Sequence, residues 1–154
     1  MMTRPVLLVL SAAILAACGG SAAPVAGLPT GVLAIDTGGG EVRVDVSIAE
    51  TDEARTRGLM GVEDLADGAG MVFLEPQPIQ SGFWMKDTLI PLSIAFWDQA
   101  GEILAILDME PCTKDPCEIY TPGVTWIGAV EVNQGFFAEQ GVEVGDRVTL
   151  DRSR

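Results

Sequence analysis

Arg57, Trp84, Lys86 and Asp87 are the side chains whose types fit molecular recognition best. An indole supplies apolar area and one N–H donor, and a guanidinium supplies a planar fork for carboxylate or phosphate. A patch built on Trp84 and Arg57 therefore suits an anionic or saccharide-like ligand. The same residues admit an architectural reading. Phe83, Trp84 and Met85 can serve as core, Lys86-Asp87-Thr88 as a hydrogen-bonded turn, and Arg57 as a partner of Asp87 that fixes a helix against a sheet. Hydrolysis by paired carboxylates is a second chemistry, for which Asp87, Asp98, Asp108, Glu110 and Glu131 are present, without a diagnostic spacing between any two. A third rests on Met60, Met71, Met85 and Met109, since thioethers select Cu(I), although methionine more often fills gaps in a core.

The chain contains no histidine. Ser-His-Asp and Cys-His catalysis and His-ligated zinc are thereby excluded, and no side chain has an unperturbed pKa between about 5 and 8. No catalytic residue, metal or cofactor is assigned from the residues.

Residues 1–17 supply an address. A basic Arg4, an apolar run from Val6 to Ala17 and small residues before a cysteine read as a secretory signal whose hydrophobic segment is too short to remain as a membrane span. Leu15-Ala16-Ala17-Cys18 resembles the lipobox of bacterial lipoproteins, which implies acyl chains on Cys18 and a mature chain beginning there. Gly19, in place of Asp, resembles the signal for onward transfer to the outer membrane, so the expected location is its periplasmic face. The whole chain carries a net charge of −13 at pH 7, and loss of Arg4 leaves 8 basic residues against 22 acidic ones, about −14. Such a surface repels nucleic acid and bare anionic lipid, so membrane attachment must rest on the acyl chains, which hold firmly when there are two or more. A monomer tethered in this way, facing an envelope protein or a small ligand, is the expectation.

Cys112 and Cys117 are the remaining thiols, within Pro111-Cys112-Thr113-Lys114-Asp115-Pro116-Cys117. In an oxidising compartment a disulfide is the natural reading, worth about 2 kcal/mol for so small a ring. Two cysteines without histidine make a poor metal site, and a redox pair usually has two intervening residues.

Residues 18–31, rich in Gly, Ser, Ala and Pro, read as a flexible tether, and residues 32–154 as a single domain. Eight strands are predicted: Val32 to Thr37, Glu41 to Ala49, Gly70 to Leu74, Ser81 to Met85, Leu92 to Asp98, Glu102 to Met109, Val124 to Val132 and Val144 to Asp151. Gly38-Gly39-Gly40 marks a hairpin turn between the first two. Thr51 to Arg57 has the cap and charge order of a short helix, and Asn133 to Gln140 is a second helix with Asn133 as cap and Gly141 past its end. This pattern implies a mainly β fold, an antiparallel β-sandwich or jelly-roll-like barrel with one or two short helices.

Arg57-Gly58-Leu59-Met60, Gly70-Met71-Val72-Phe73, the block from Phe83 to Leu92, and Gly145-Asp146-Arg147-Val148 together resemble the family called domain of unknown function 192. Met109-Glu110-Pro111-Cys112 with Cys117 and Tyr120 resembles the cysteine-bearing loop of its exported members. The resemblance implies a compact, mainly β domain of sandwich type with no established reaction. Three positions depart from the family pattern: Asp87 where Asn is usual, Ser93 where an acidic residue commonly follows Ile-Pro-Leu, and Val62 where Arg is frequent. A carboxylate mechanism built on position 93 is ruled out.

Overall fold

The computed structural model describes residues 25–152. The expected signal segment, Cys18, Gly19 and the expected tether up to residue 24 lie outside the described residues.

β1 (Thr30–Thr37) and β2 (Gly40–Ala49) form the expected hairpin, closed at Gly40 by a positive φ of 142° and by Thr37 Oγ1 donating to the Gly40 carbonyl at 2.8 Å. β2 shows why alternation works as a signal: Val44, Val46 and Ile48 are buried on one face. The chain then enters α1 (Asp52–Arg57), capped by Thr51 Oγ1, which accepts from the Ala54 N–H at 3.2 Å. β3 (Ala69–Ile79) follows and lies parallel to β2. A parallel neighbour requires a crossover, and α1 with residues 58–68 provides it.

The remaining elements are β4 (Phe83–Trp84), β5 (Leu92–Trp97), β6 (Ile103–Met109), β7 (Ile119–Tyr120), β8 (Trp126–Asn133), α2 (Phe136–Gln140) and β9 (Arg147–Arg152). Seven strands make one sheet in the order β6-β5-β8-β3-β2-β1-β9, and β4 pairs with β7 in a separate ribbon. The mainly β expectation with two short helices holds. The sheet is mixed at β2–β3, and its two edges meet at one bridge, Glu102 with Arg147, so it curls without closing into a barrel.

Curling gives the sheet two cores. Leu33, Ile35, Val44, Val46, Val72 and Val130 fill the inner one with Phe137 of α2. On the other face Met71, Phe73, Ile94, Phe96 and Trp126 pack beneath Leu59, Leu65 and Met85, contributed by the crossover and by the segment after β4. Val25 and Leu28 also pack there, and Ser47 Oγ accepts from the Val25 N–H at 3.1 Å, so contacts with the domain begin ahead of residue 32.

Asn133 differs from its expected capping role. It ends β8, and its Nδ2 donates to the Leu65 carbonyl at 2.8 Å, tying the crossover to the sheet. Gly135, left-handed at φ 87°, takes the cap position of α2, whereas Gly141 ends that helix as expected. A two-residue strand such as β7 carries too little periodicity to be read from sequence, and it was not among the predicted elements.

Candidate functional site

Strand alternation decides what the Phe83-Trp84-Met85 block presents. Phe83 stacks edge-on with Phe73 at 4.9 Å between ring centres and Met85 is buried, while Trp84 between them faces outward and is 50% exposed. Trp84 pairs across the ribbon with the exposed Ile119. The core reading thus applies to two residues of the block and the surface reading to the third.

Two arginines of α1 reach this region and have different employments. Arg55 is a clamp: its guanidinium donates to the carbonyls of Glu50 and Leu74 at 2.8 Å each, and it pairs with Asp52 and Glu75. It locks α1 to β3. Arg57 is exposed and makes no ion pair or side-chain hydrogen bond among the described residues. The Arg57–Asp87 pair considered from the sequence does not form among the described residues.

Lys86 and Asp87 leave the patch in opposite ways. The Lys86 ammonium donates to both oxygens of Asp115 at 3.0 and 3.1 Å, and that hydrogen bond, with the attraction of the Asp115 charge, raises its pKa. Asp115 sits in the loop closed by the Cys112–Cys117 disulfide, so Lys86 is moored to that loop. Both sulfurs are consumed by the bond, so they do not join Asp115 as thiolate ligands. Asp87 has a left-handed φ of 53°, a conformation Asn and Asp tolerate better than other side-chain-bearing residues. That backbone requirement accounts for its place in the turn, where the Thr88 N–H donates to the Met85 carbonyl at 3.2 Å.

Arg57 and Trp84 both line a cavity of about 30 Å³ that Phe73, Phe83, Thr88 and Glu131 complete. A larger cleft of about 450 Å³, lined by Asp52, Glu75, Ser81 and Trp126 among others, adjoins it through the shared Arg55, Phe83 and Trp84. Glu131 is the residue of consequence. It occupies an inward position of β8, flanked across the ladder by Met71 and Ile94, and is 4% exposed. It makes no side-chain hydrogen bond or ion pair among the described residues, and burial pushes its pKa up to about 8. The group is a neutral acid at pH 7, able to donate as well as accept. Gly70 lets β3 approach this point, since a Cβ there would lie 2.6 Å from the Glu131 carbonyl oxygen.

Sequence reasoning had Glu131 only as one of five carboxylates. Its signal was a charge in the middle of Trp126-Ile127-Gly128-Ala129-Val130-Glu131-Val132, a strand otherwise apolar. The other four are placed elsewhere: Asp98 accepts from the Ala100 and Glu102 N–H groups in a turn, Asp108 accepts from Ser93 Oγ, Glu110 accepts from Gln134, and Asp87 is exposed. None of the four lines the cavity that holds Glu131. Ser93 lies on the opposite face, its hydroxyl also accepting from the Gly135 N–H at 2.9 Å. Met71, Met85 and Met109 are fully buried among apolar side chains and pack the core.

The molecule also has a groove of about 590 Å³ beside Arg43, Asp67 and Glu139. Arg43 pairs with Glu41 at 2.8 Å, Asn133 and Gln134 bond to Leu65 and Glu110, and no indole faces the groove. The smaller Trp84 cleft carries the more specific chemistry.

A curled, mainly β domain with an aromatic and arginine cleft over a buried acid is the class of protein defined here. The chain belongs to the DUF192 family, described as Uncharacterized ACR, whose model matches residues 34–150. It is similar to a protein of unknown function from Novosphingobium aromaticivorans, with 27% identity and a TM-score of 0.76 over 90% of this chain and 99% of the other. It is also similar to a protein from Sinorhizobium meliloti named as a candidate transcription regulator, with 26% identity and a TM-score of 0.74 over 80% and 95% of the two chains. No curated protein matches this chain.

Proposed function

We propose that the protein is a lipid-anchored binding module of the cell envelope, held through Cys18 at the periplasmic face of the outer membrane, which presents the Trp84–Arg57 cleft to a small anionic or saccharide-like ligand. The observation that carries this reading is the convergence of a half-exposed Trp84 and an arginine without a partner among the described residues on one cavity. An exposed indole beside an uncommitted guanidinium is the composition of a recognition surface, whereas Arg55 nearby shows what a structural arginine looks like. The acidic net charge of −13 gives no support to nucleic-acid binding, so the regulator naming of the Sinorhizobium protein is not carried over. The chain acts as a monomer in this proposal.

One observation favours a second reading, a carboxylate-based hydrolase. Glu131 is buried in a cleft with its pKa raised to about 8, as a general acid would need. It lacks a second carboxylate in its own cavity, so binding is the better supported.

Two measurements test the proposal. Mass spectrometry of the native protein should find acylated Cys18 at the new N-terminus, and a Cys18→Ala variant should leave the membrane fraction. An intact Met1 or a free thiol overturns the anchoring. A variant with Trp84 and Arg57 both replaced should stay folded and fail to complement the envelope phenotype of a deletion strain. Full complementation by the double variant overturns the binding role.

A further inference from the structure

We infer that the cleft takes an acidic sugar, whose pyranose ring packs on Trp84 while its carboxylate forks onto Arg57 and places one oxygen in the cavity against the Glu131 carboxyl. The inference rests on the binding reading above and adds the ligand class and the residue that recognises it.

Glu131 calls for a ligand more strongly than any other buried group. It is 4% exposed, lines a cavity, and has no hydrogen-bond or ion-pair partner among the described residues. Every fully buried side-chain oxygen and nitrogen among the described residues has a partner, so the carboxyl of Glu131, which has none, keeps access to solvent through the cavity it lines. The cavity of about 30 Å³ has room for a single oxygen-bearing group, the size of one water, and not for a sugar ring. Whatever enters therefore does so by one polar tip, with its body in the adjoining cleft of about 450 Å³.

The chemistry of the walls selects that tip. Arg55 and Arg57 of α1 are the charged groups around Glu131 in the cavity. β3 and β5 present Met71, Phe73 and Ile94, β4 presents Phe83 and Trp84, and the following turn presents Thr88. Lys86 and Asp87 flank Thr88 without lining the cavity, and Lys86 is held by Asp115. A cation would be repelled by Arg57, and a neutral group would leave its fork empty. A carboxylate satisfies both, accepting from the guanidinium and from the protonated Glu131, in hydrogen bonds strengthened by its charge. A pyranose suits the rest, because its C–H face packs on an indole while its hydroxyls meet those of Thr56, Thr88 and Ser81.

Isothermal titration of the full-length protein with glucuronate, glucose and acetate between pH 6 and 10 tests this. Glucuronate should bind saturably, with glucose and acetate at least tenfold weaker. Its affinity should hold to about pH 7.5 and fall about tenfold per pH unit above about 8, where Glu131 loses the proton that the complex retains. In Glu131→Gln, which keeps a donor and cannot ionise, the affinity should be flat across the range. Glucuronate binding that Trp84→Ala and Arg57→Gln weaken, with the same pH profile in Glu131→Gln as in the wild type, overturns the role of Glu131 and leaves the cleft reading standing. Acetate binding as tightly as glucuronate overturns the sugar. Binding of none of the three at millimolar concentration overturns the acidic-sugar class, while the envelope complementation of the double variant separately decides the cleft.

Discussion

Glu131→Gln should make the protein more stable, and only above the ordinary carboxylate range. In the unfolded chain this carboxyl titrates near 4.5, whereas in the folded protein burial holds its proton up to about 8. Below pH 4.5 the group is neutral in both states and adds no pH dependence. Between 4.5 and 8 the unfolded chain releases a proton that the folded protein retains, so stability falls as pH rises through that window and levels off above it. A separation of about 3.5 pK units at 1.36 kcal/mol each sets the full loss on the order of 5 kcal/mol. That is a large share of a typical domain stability of 5–15 kcal/mol. With no histidine in the chain, no imidazole titration overlaps the window, and the Lys86 effect lies above pH 10.5. Urea denaturation at half-unit steps from pH 4.5 to 9 is the assay. The wild-type midpoint should slide downward by about 2–5 M, taking a slope of about 1–3 kcal/mol per molar urea. The variant should lack this slide, matching the wild type near pH 4.5 and exceeding it at pH 9. Parallel curves for the two proteins would refute the argument, because they would mean that the carboxyl ionises equally easily in both states.

Other perturbations separate the architecture from the cleft. Trp126→Ala, which empties a fully buried site and removes the indole N–H bond to the Ser81 carbonyl, should cost about 3–5 kcal/mol, whereas Trp84→Ala on the surface should cost less than about 1 kcal/mol; thermal denaturation compares them. Opening the Cys112–Cys117 ring with paired serines should cost about 2 kcal/mol in chemical denaturation and leave the domain folded, since the loop encloses few residues. Asp87→Val, which forces a β-branched residue into a left-handed conformation, should cost about 1–2 kcal/mol, while Asp87→Asn should be nearly neutral by the same assay.

Much of the strand pattern was legible because most strands have an exposed face or a clear turn at each end. The alternation of β2 and the turn at Gly38-Gly39-Gly40 fixed the hairpin, and Thr51 fixed the start of α1 within one residue. Pairing direction was not legible, since the parallel β2–β3 contact depends on where a crossover with little periodicity lands. Asn133 shows how tertiary structure overrides a local signal: its amide serves the Leu65 carbonyl across the sheet, and Gly135 does the capping. At the site, residue type pointed to Trp84 and Arg57, and the structure puts both on one cavity. Lys86 and Asp87 looked equally suitable in sequence, but one is bound to the disulfide loop and the other answers a backbone need. Glu131 was hidden because burial is a property of three dimensions: the residue that matters is a carboxylate only in its letter, and a neutral acid in its surroundings.

A neutral Glu131 at the base of a ligand cleft has a direct signature in carbon-13 NMR titration of its carboxyl carbon, with and without glucuronate. The carboxyl should titrate with a midpoint near 8 in the free protein, moving higher when glucuronate is present. A midpoint at the ordinary 4.5, or one that glucuronate leaves unmoved, would contradict this reading.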